Sequence, residues 1–180
     1  MSLAEGGTGT LDVNGDFVLA GTTTNNIFNP NGNTINVAGN WTVTTSSGTT
    51  TSLFNAASAS TVILDGTGVQ TVSRTAGALL SPNFYGLQVA NTSNPVAFDN
   101  STNIANNLVV AASATVSPTT ETVQFNPSAA AGTISGSGTI LVNRTTATAD
   151  YSTQYRFSTN TLGSLTVNYN GAGAQNVNSF

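Results

Sequence analysis

Seven carboxylates carry the acid–base and metal-binding chemistry open to this 180-residue chain: Glu5, Asp12, Asp16, Asp65, Asp99, Glu121 and Asp150. There is no His, no Cys and no Lys. A histidine general base, a cysteine nucleophile, a Ser-His-Asp triad, a His/Cys zinc or copper site, a disulfide framework, a Schiff base and a phosphate-loop lysine are therefore all excluded. What is left is carboxylate chemistry, by a pair of acids or with calcium. Asp12 and Asp16 stand four residues apart, and no other two carboxylates lie close in sequence. Asp12-Val13-Asn14-Gly15-Asp16 opens like a calcium loop, but Phe17 takes the place of its glycine and no bidentate Glu follows. Gly6-Gly7-Thr8-Gly9 begins like a calcium-binding nonapeptide whose Asp is replaced by Leu11. These acidic and amide residues read as turn caps, so no cofactor and no catalytic residue is expected, with calcium the one metal the carboxylates could hold. Gly66-Thr67-Gly68 and Gly136-Ser137-Gly138 lack a following helix and lysine, and read as turn glycines.

Three arginines against seven acids give a net charge of −4. So few cations make a phosphate-binding groove, and hence a nucleic-acid partner, a poor fit. The densest aromatic and cationic cluster is Tyr151-Ser152-Thr153-Gln154-Tyr155-Arg156. Tyr151, Tyr155 and Arg156 are the expected contact surface, for carbohydrate or a host protein. Trp41 occupies the position of Phe17 in an internal repeat, which argues for packing rather than a sugar platform. Thr22/Thr24, Thr42/Thr44 and Thr49/Thr51 raise ice binding as an alternative, provided a flat array repeats once per coil.

The elements that position these residues are strands. Thr, Asn, Ser and Gly make up about half of the chain, and all are poor helix formers. Short alternating runs bounded by Gly, Asn and Asp recur throughout. Leu11 to Leu19 (LDVNGDFVL) and Ile35 to Val43 (INVAGNWTV) match at an offset of 24 residues: Leu11, Val13, Gly15, Phe17 and Leu19 fall on Ile35, Val37, Gly39, Trp41 and Val43. Thr61 to Val72 (TVILDGTGVQTV) and Thr166 to Val177 (TVNYNGAGAQNV) match at an offset of 105, with Gly66, Gly68, Gln70 and Val72 recurring as Gly171, Gly173, Gln175 and Val177. A period in the twenties without helices implies a β-solenoid, roughly seven coils in one domain spanning residues 1–180. Each coil exposes inward apolar residues that only stacking buries, and aligned Asn residues form hydrogen-bonded ladders between coils. The alternative is an antiparallel sandwich, since Asn14-Gly15, Asp65-Gly66 and Asn170-Gly171 are hairpin signals. No segment is long and apolar enough for a membrane helix. Met1-Ser2-Leu3 reads as a leader, with residues 1–7 outside the folded unit.

Thr61 to Val72, followed by Phe84-Tyr85-Gly86-Leu87-Gln88-Val89, resembles a repeat of large secreted bacterial surface proteins, the β-helical passenger regions of adhesins and filamentous-haemagglutinin-like exoproteins. Gly66, Gly68, Gln70 and Val72 match its first half, as do Gly171, Gly173, Gln175 and Val177; Phe84, Tyr85, Leu87 and Val89 match its second. The resemblance implies a right-handed parallel β-helix and assigns no catalytic or binding residue. Ser73 to Asn83 departs from the pattern as an expected protruding loop. The implied function is a non-enzymatic structural or adhesive module at the bacterial surface, a fragment of a longer chain whose open coils meet the rest of that chain or neighbouring copies end to end. The alternatives are a carbohydrate-binding or polysaccharide-degrading β-helix and an ice-binding solenoid.

Overall fold

A computed structural model describes residues 9–21, 28–45, 53–54, 56, 59–75, 81–145 and 149–177. Alternation of inward apolar and outward polar residues, as in Thr34–Val37, gives strands with one buried face, and Thr61–Leu64 keeps the same burial pattern with Ile63 outward. These strands form two parallel seven-stranded sheets that the chain visits in turn. The first contains β1 (Thr10–Val13), β3 (Thr34–Val37), β5 (Thr61–Leu64), β7 (Asn83–Val89), β9 (Asn103–Val110), β11 (Thr133–Gly136) and β13 (Thr159–Asn160), stacked in that order. The second contains β2 (Phe17–Gly21), β4 (Trp41–Thr45), β6 (Gln70–Arg74), β8 (Val96–Phe98), β10 (Thr115–Pro118), β12 (Thr139–Val142) and β14 (Thr166–Tyr169). Isolated parallel bridges Phe28–Phe54, Thr102–Phe125 and Phe125–Tyr155 form a third, less regular side. The chain is a parallel β-solenoid.

The antiparallel sandwich is ruled out by the pairing. Asn14-Gly15 does not close a hairpin; β1 pairs with β3, and Asn14 to Asp16 turns the corner into the other sheet. Asp65-Gly66 turns the equivalent corner between β5 and β6. The repeat at 24 residues is the coil register itself: Leu11 pairs with Ile35, Val13 with Val37, Phe17 with Trp41 and Leu19 with Val43. Elsewhere the spacing of stacked residues runs from 20, at Asn83 and Asn103, to 31, at Thr42 and Ser73. The repeat at 105 is of another kind. Thr61–Leu64 lies in the first sheet and Thr166–Tyr169 in the second, so the same strand-and-turn sequence serves two different corners.

Inward columns build the core. Ile35, Val62, Leu87, Leu108 and Ile134 lie one above another and are fully buried. Each such side chain contributes about 1.5–3 kcal/mol. Leu11, Val13 and Phe17, in the first coil, are half-buried. Aromatic rings fill the wider parts: Phe17 stacks on Trp41 at 4.6 Å, and Trp41 meets Phe84 at 5.0 Å. A second cluster runs from Phe98 through Phe125 and Tyr155 to Tyr151.

Two expectations change. Val177 does not reproduce Val72: Val72 is enclosed between Trp41 and Phe98, whereas Val177 is 71 % exposed, with no described strand stacked on it. Ser73 to Asn83 is not a single loop either. Ser73 and Arg74 end β6 and Asn83 opens β7, while 76–80 lie outside the described residues. Residues 1–8, Thr22/Thr24 and Thr49/Thr51 also lie outside them.

Candidate contact surface and polar corners

The expected contact cluster is turned inward. Residues Asp150–Gln154 form a single helical turn, α1, entered through Ala149 in the left-handed region (φ 55°). Four-residue spacing places Tyr151 and Tyr155 on one side of that turn, and the side is the core: exposure is 0 % and 1 %. The Tyr151 hydroxyl donates to Asn160 Oδ1 and that of Tyr155 to Leu141 O, each at 2.7 Å. Burial pushes both phenols well above the ordinary tyrosine range, with Tyr169 adding to the effect on Tyr151 and Tyr151 to that on Tyr155. Arg156 is half-buried; its guanidinium donates to Pro127 O and its main-chain N–H to Phe125 O. The tyrosines therefore build no stacking platform for a sugar. Their polar neighbours Ser152 and Thr153 make the segment look exposed in sequence, but only Ser152 is fully exposed, with Thr153 and Arg156 half-buried.

The G-x-G-x-Q motif has a definite geometry. Buried Gln70 donates from Nε2 to Val37 O (2.8 Å) and Gly39 O (2.7 Å) on the coil below, and its Oε1 accepts from Gly66 N of its own turn (3.0 Å). Asn91, on the coil above, donates to the same Oε1. Gln175 repeats the first three contacts with Val142 O, Arg144 O and Gly171 N. Gly66 is required by proximity, since a Cβ there would lie 2.0 Å from Ala38 O; Gly68 has open space around it. The motif is a corner clamp. It ties the main chain of its own turn to that of the coil below where the strands end.

The carboxylates are spread along the tube. Asp12 and Asp16 flank the first corner, Asp65 follows β5, Asp99 follows β8, Glu121 follows β10 and Asp150 opens α1. Asp16 Oδ1 accepts from Asn40 N (2.7 Å) and Nδ2 (3.0 Å), and Asn40 Oδ1 in turn accepts from Thr71 N. This is a polar ladder of the expected kind; Asn103 and Asn83 form another at 2.8 Å. Glu121 accepts from the Thr145 hydroxyl, and Asp150 Oδ2 from Asn176 N. No group of three potential metal ligands occurs among the described residues. Within the Asp12 to Asp16 segment, the Asp16 carboxylate makes a coil-to-coil bond to Asn40.

Two grooves remain. One, of about 360 Å³, is lined by Phe84, Ile104, Ser128, Ala129 and Ala131 among others. The other, of about 390 Å³, crosses three coils and is lined by Thr119, Glu121, Asn143, Thr145, Asn170 and Gly171 among others. Several of its polar groups are already bonded: Thr145 donates to Glu121 across the groove, Asn143 Nδ2 donates to Pro118 O and Gly171 N to Gln175. Outward threonines do align: Thr10, Thr34 and Thr61, then Thr133 and Thr159, fall in one column broken by Gly86 and Asn107. A second column, Thr115, Thr139 and Thr166, runs along the other sheet. The two lie in different sheets, and each is one residue wide.

No protein family, curated protein or solved structure matches this chain. Function must be argued from the geometry. Sequence reasoning missed two buried amides that act as Gln70 does. Gln154 Nε2 donates to Val123 O (3.0 Å) and Asn143 Oδ1 (2.6 Å), while its Oε1 accepts from Asn143 N. Asn126 Oδ1 accepts from Ile104 N (2.6 Å), and its Nδ2 donates to Ala131 O and Arg156 O. Scarcity of Gln was the one available signal for Gln154; nothing marks Asn126 among so many asparagines. No described helix is long and apolar enough to cross a membrane.

Proposed function

We propose that the chain is a non-enzymatic structural module of an extracellular or cell-surface bacterial protein, a rigid spacer or adhesive stalk. One observation carries this reading: the buried amides Gln70, Asn126 and Gln154 are committed to coil-to-coil hydrogen bonds. Such a tube derives its rigidity from main-chain pairing along its length and needs few charges for it. The resemblance of Gly66 to Val72 and Phe84 to Val89 to surface-protein repeats supports the same location. The absence of lysine leaves trypsin three arginines, each with a main-chain or side-chain group bound within the fold.

The test is turnover and persistence of the purified chain. It should survive prolonged trypsin treatment intact and release no reducing ends from a panel of neutral and acidic polysaccharides. Turnover abolished by Asp16→Asn or Glu121→Gln would overturn the reading. A carbohydrate contact is the second reading, supported by the groove beside Glu121, Asn143 and Asn170. Retention of the chain on an immobilised polysaccharide, lost in Asn170→Trp, would favour it.

A further inference from the structure

We propose that the glutamine of the G-x-G-x-Q corner keeps the dipeptide at its start from modifying itself, and that Asn14-Gly15, which has no such glutamine, is a site of spontaneous deamidation. The proposal is independent of the spacer reading. An asparagine before a glycine is prone to ring closure, because no Cβ shields the next main-chain nitrogen. That nitrogen gives up its proton and attacks Asn Cγ; the bond from Cγ to Nδ2 breaks, and ammonia leaves with the proton. Water then opens the succinimide at either carbonyl and yields aspartate or isoaspartate. An aspartate before a glycine closes the same ring by losing water.

Three corners carry such a pair: Asn14-Gly15, Asp65-Gly66 and Asn170-Gly171. Asn14, Asp65 and Asn170 are all exposed, so burial of the reacting side chain does not separate them. The glycine nitrogen does. Gly66 N donates to Gln70 Oε1 at 3.0 Å, and Gly171 N to Gln175 Oε1 at 2.7 Å. Each glutamine is itself fixed by two bonds from its Nε2 to the coil below. A nitrogen held as a donor to Oε1 must give up that bond before it attacks. Four residues after Gly15 stands Leu19, which is buried in the core and offers no acceptor. Gly15 is exposed, and a Cβ there would meet nothing within 4 Å. A further pair, Asn31-Gly32, is held differently: Asn33 N donates to Pro30 O across it, and both residues lie in the left-handed region (φ 49° and 79°). Conversion of Asn14 sets a carboxylate between Asp12 and Asp16, and as isoaspartate lengthens the main chain by one carbon at the corner from β1 to β2.

Incubation of the purified chain in mildly alkaline buffer, followed by peptide mass spectrometry, tests this. Asn14 should convert while Asp65 and Asn170 stay as they are. In urea, where the corners are lost, Asn14 and Asn170 should convert at similar rates. Gln175→Leu, shown to be folded by circular dichroism, should speed conversion of Asn170 about tenfold, the factor that one ordinary hydrogen bond sets, and leave Asn14 unchanged. Gln175→Glu keeps an oxygen for Gly171 N–H but gives up both donor bonds to the coil below, so Asn170 should stay protected. Three results would overturn the proposal: Asn170 converting as fast as Asn14 in the folded wild type, Asn170 no faster in Gln175→Leu, or Gln175→Glu matching Gln175→Leu. The last would make loosening of the corner, not capture of the nitrogen, the cause.

Discussion

Gln70 and Gln175 clamp two different corners of the tube with the same three hydrogen bonds. Even the surroundings repeat. Val37 O, bound by Gln70, also accepts from Asp65 N, and Val142 O, bound by Gln175, also accepts from Asn170 N. The local sequence thus specifies a turn and its stitch to the coil below, indifferent to which sheet follows.

Gln70→Leu should therefore be severe. It preserves volume but leaves the buried Gly66 N–H and the half-buried Gly39 O without their partner, while Val37 O keeps Asp65 N. Each abandoned group costs about 1–3 kcal/mol, so a loss of about 2–4 kcal/mol in urea unfolding is expected. Gln175 is half-buried, water can replace its contacts, and Gln175→Leu should lose about 1 kcal/mol. Equal losses would mean that the clamp is not what stabilises the corner.

The glycines of the motif should separate cleanly. Gly66→Ala places a Cβ 2.0 Å from Ala38 O, a main-chain atom that only a shift of the coil can relieve. About 3 kcal/mol of destabilisation is expected. Gly68→Ala meets nothing within 4 Å and should fall within about 0.5 kcal/mol of the wild type. Thermal melts of the two variants side by side decide it.

Orientation within the strands can be checked by charge. Ile35 is fully buried, and Ile35→Asp puts an unpaired carboxylate in the core; the chain should not fold at neutral pH. Ile63 sits on the outward side of β5 between register partners Asn36 and Gln88. Ile63→Asp should cost less than about 1 kcal/mol. Circular dichroism at 20 °C distinguishes a folded from an unfolded product.

Alkaline pH should unfold the protein through its buried phenols. Tyr151 and Tyr155 have folded-state pKa values raised above the ordinary 10.0, chiefly by burial. Their neutral forms are favoured in the fold, so that stability is fully present below about pH 10 and is lost as pH climbs toward the folded values. Absorbance at 295 nm should show these two phenolates appearing only with loss of the β-sheet signal. In Tyr155→Phe the decline above pH 10 should be shallower, although Leu141 O loses its donor and stability at pH 7 falls by about 1–3 kcal/mol.

The part of this fold legible in sequence was the part governed by pattern. Leu11 to Leu19 over Ile35 to Val43 announced the register because that coil carries no insertion, and the corner glycines had to stay where coils approach closely. The register was lost where loops of differing length follow the second sheet, as between Trp41 and Val72. Asn14-Gly15 read equally well as a hairpin, since a tight turn and a solenoid corner ask for the same residues; only pairing across coils separates them. Tyr151 to Arg156 misled for a different reason. One turn of helix, set by the backbone at Ala149, rotates both rings into the core, and nothing in a Ser/Thr-rich context signals it.

Trp41 offers the most direct probe of the core. It is fully buried, stacked on Phe17 at 4.6 Å and in contact with Phe54 and Phe84, and its Nε1 has no hydrogen-bond partner. As the single tryptophan of the chain it should emit at short wavelength and resist acrylamide until the coils separate. Trp41→Phe keeps a ring between Phe17 and Phe84 and removes an N–H that gains nothing from burial, so its loss should stay below about 2 kcal/mol. Trp41→Ala opens the stack and should lose about 3–5 kcal/mol. If both variants unfold at the same urea concentration as the wild type, Trp41 does not lie in the packed interior, and the register of β2 on β4 would have to be redrawn.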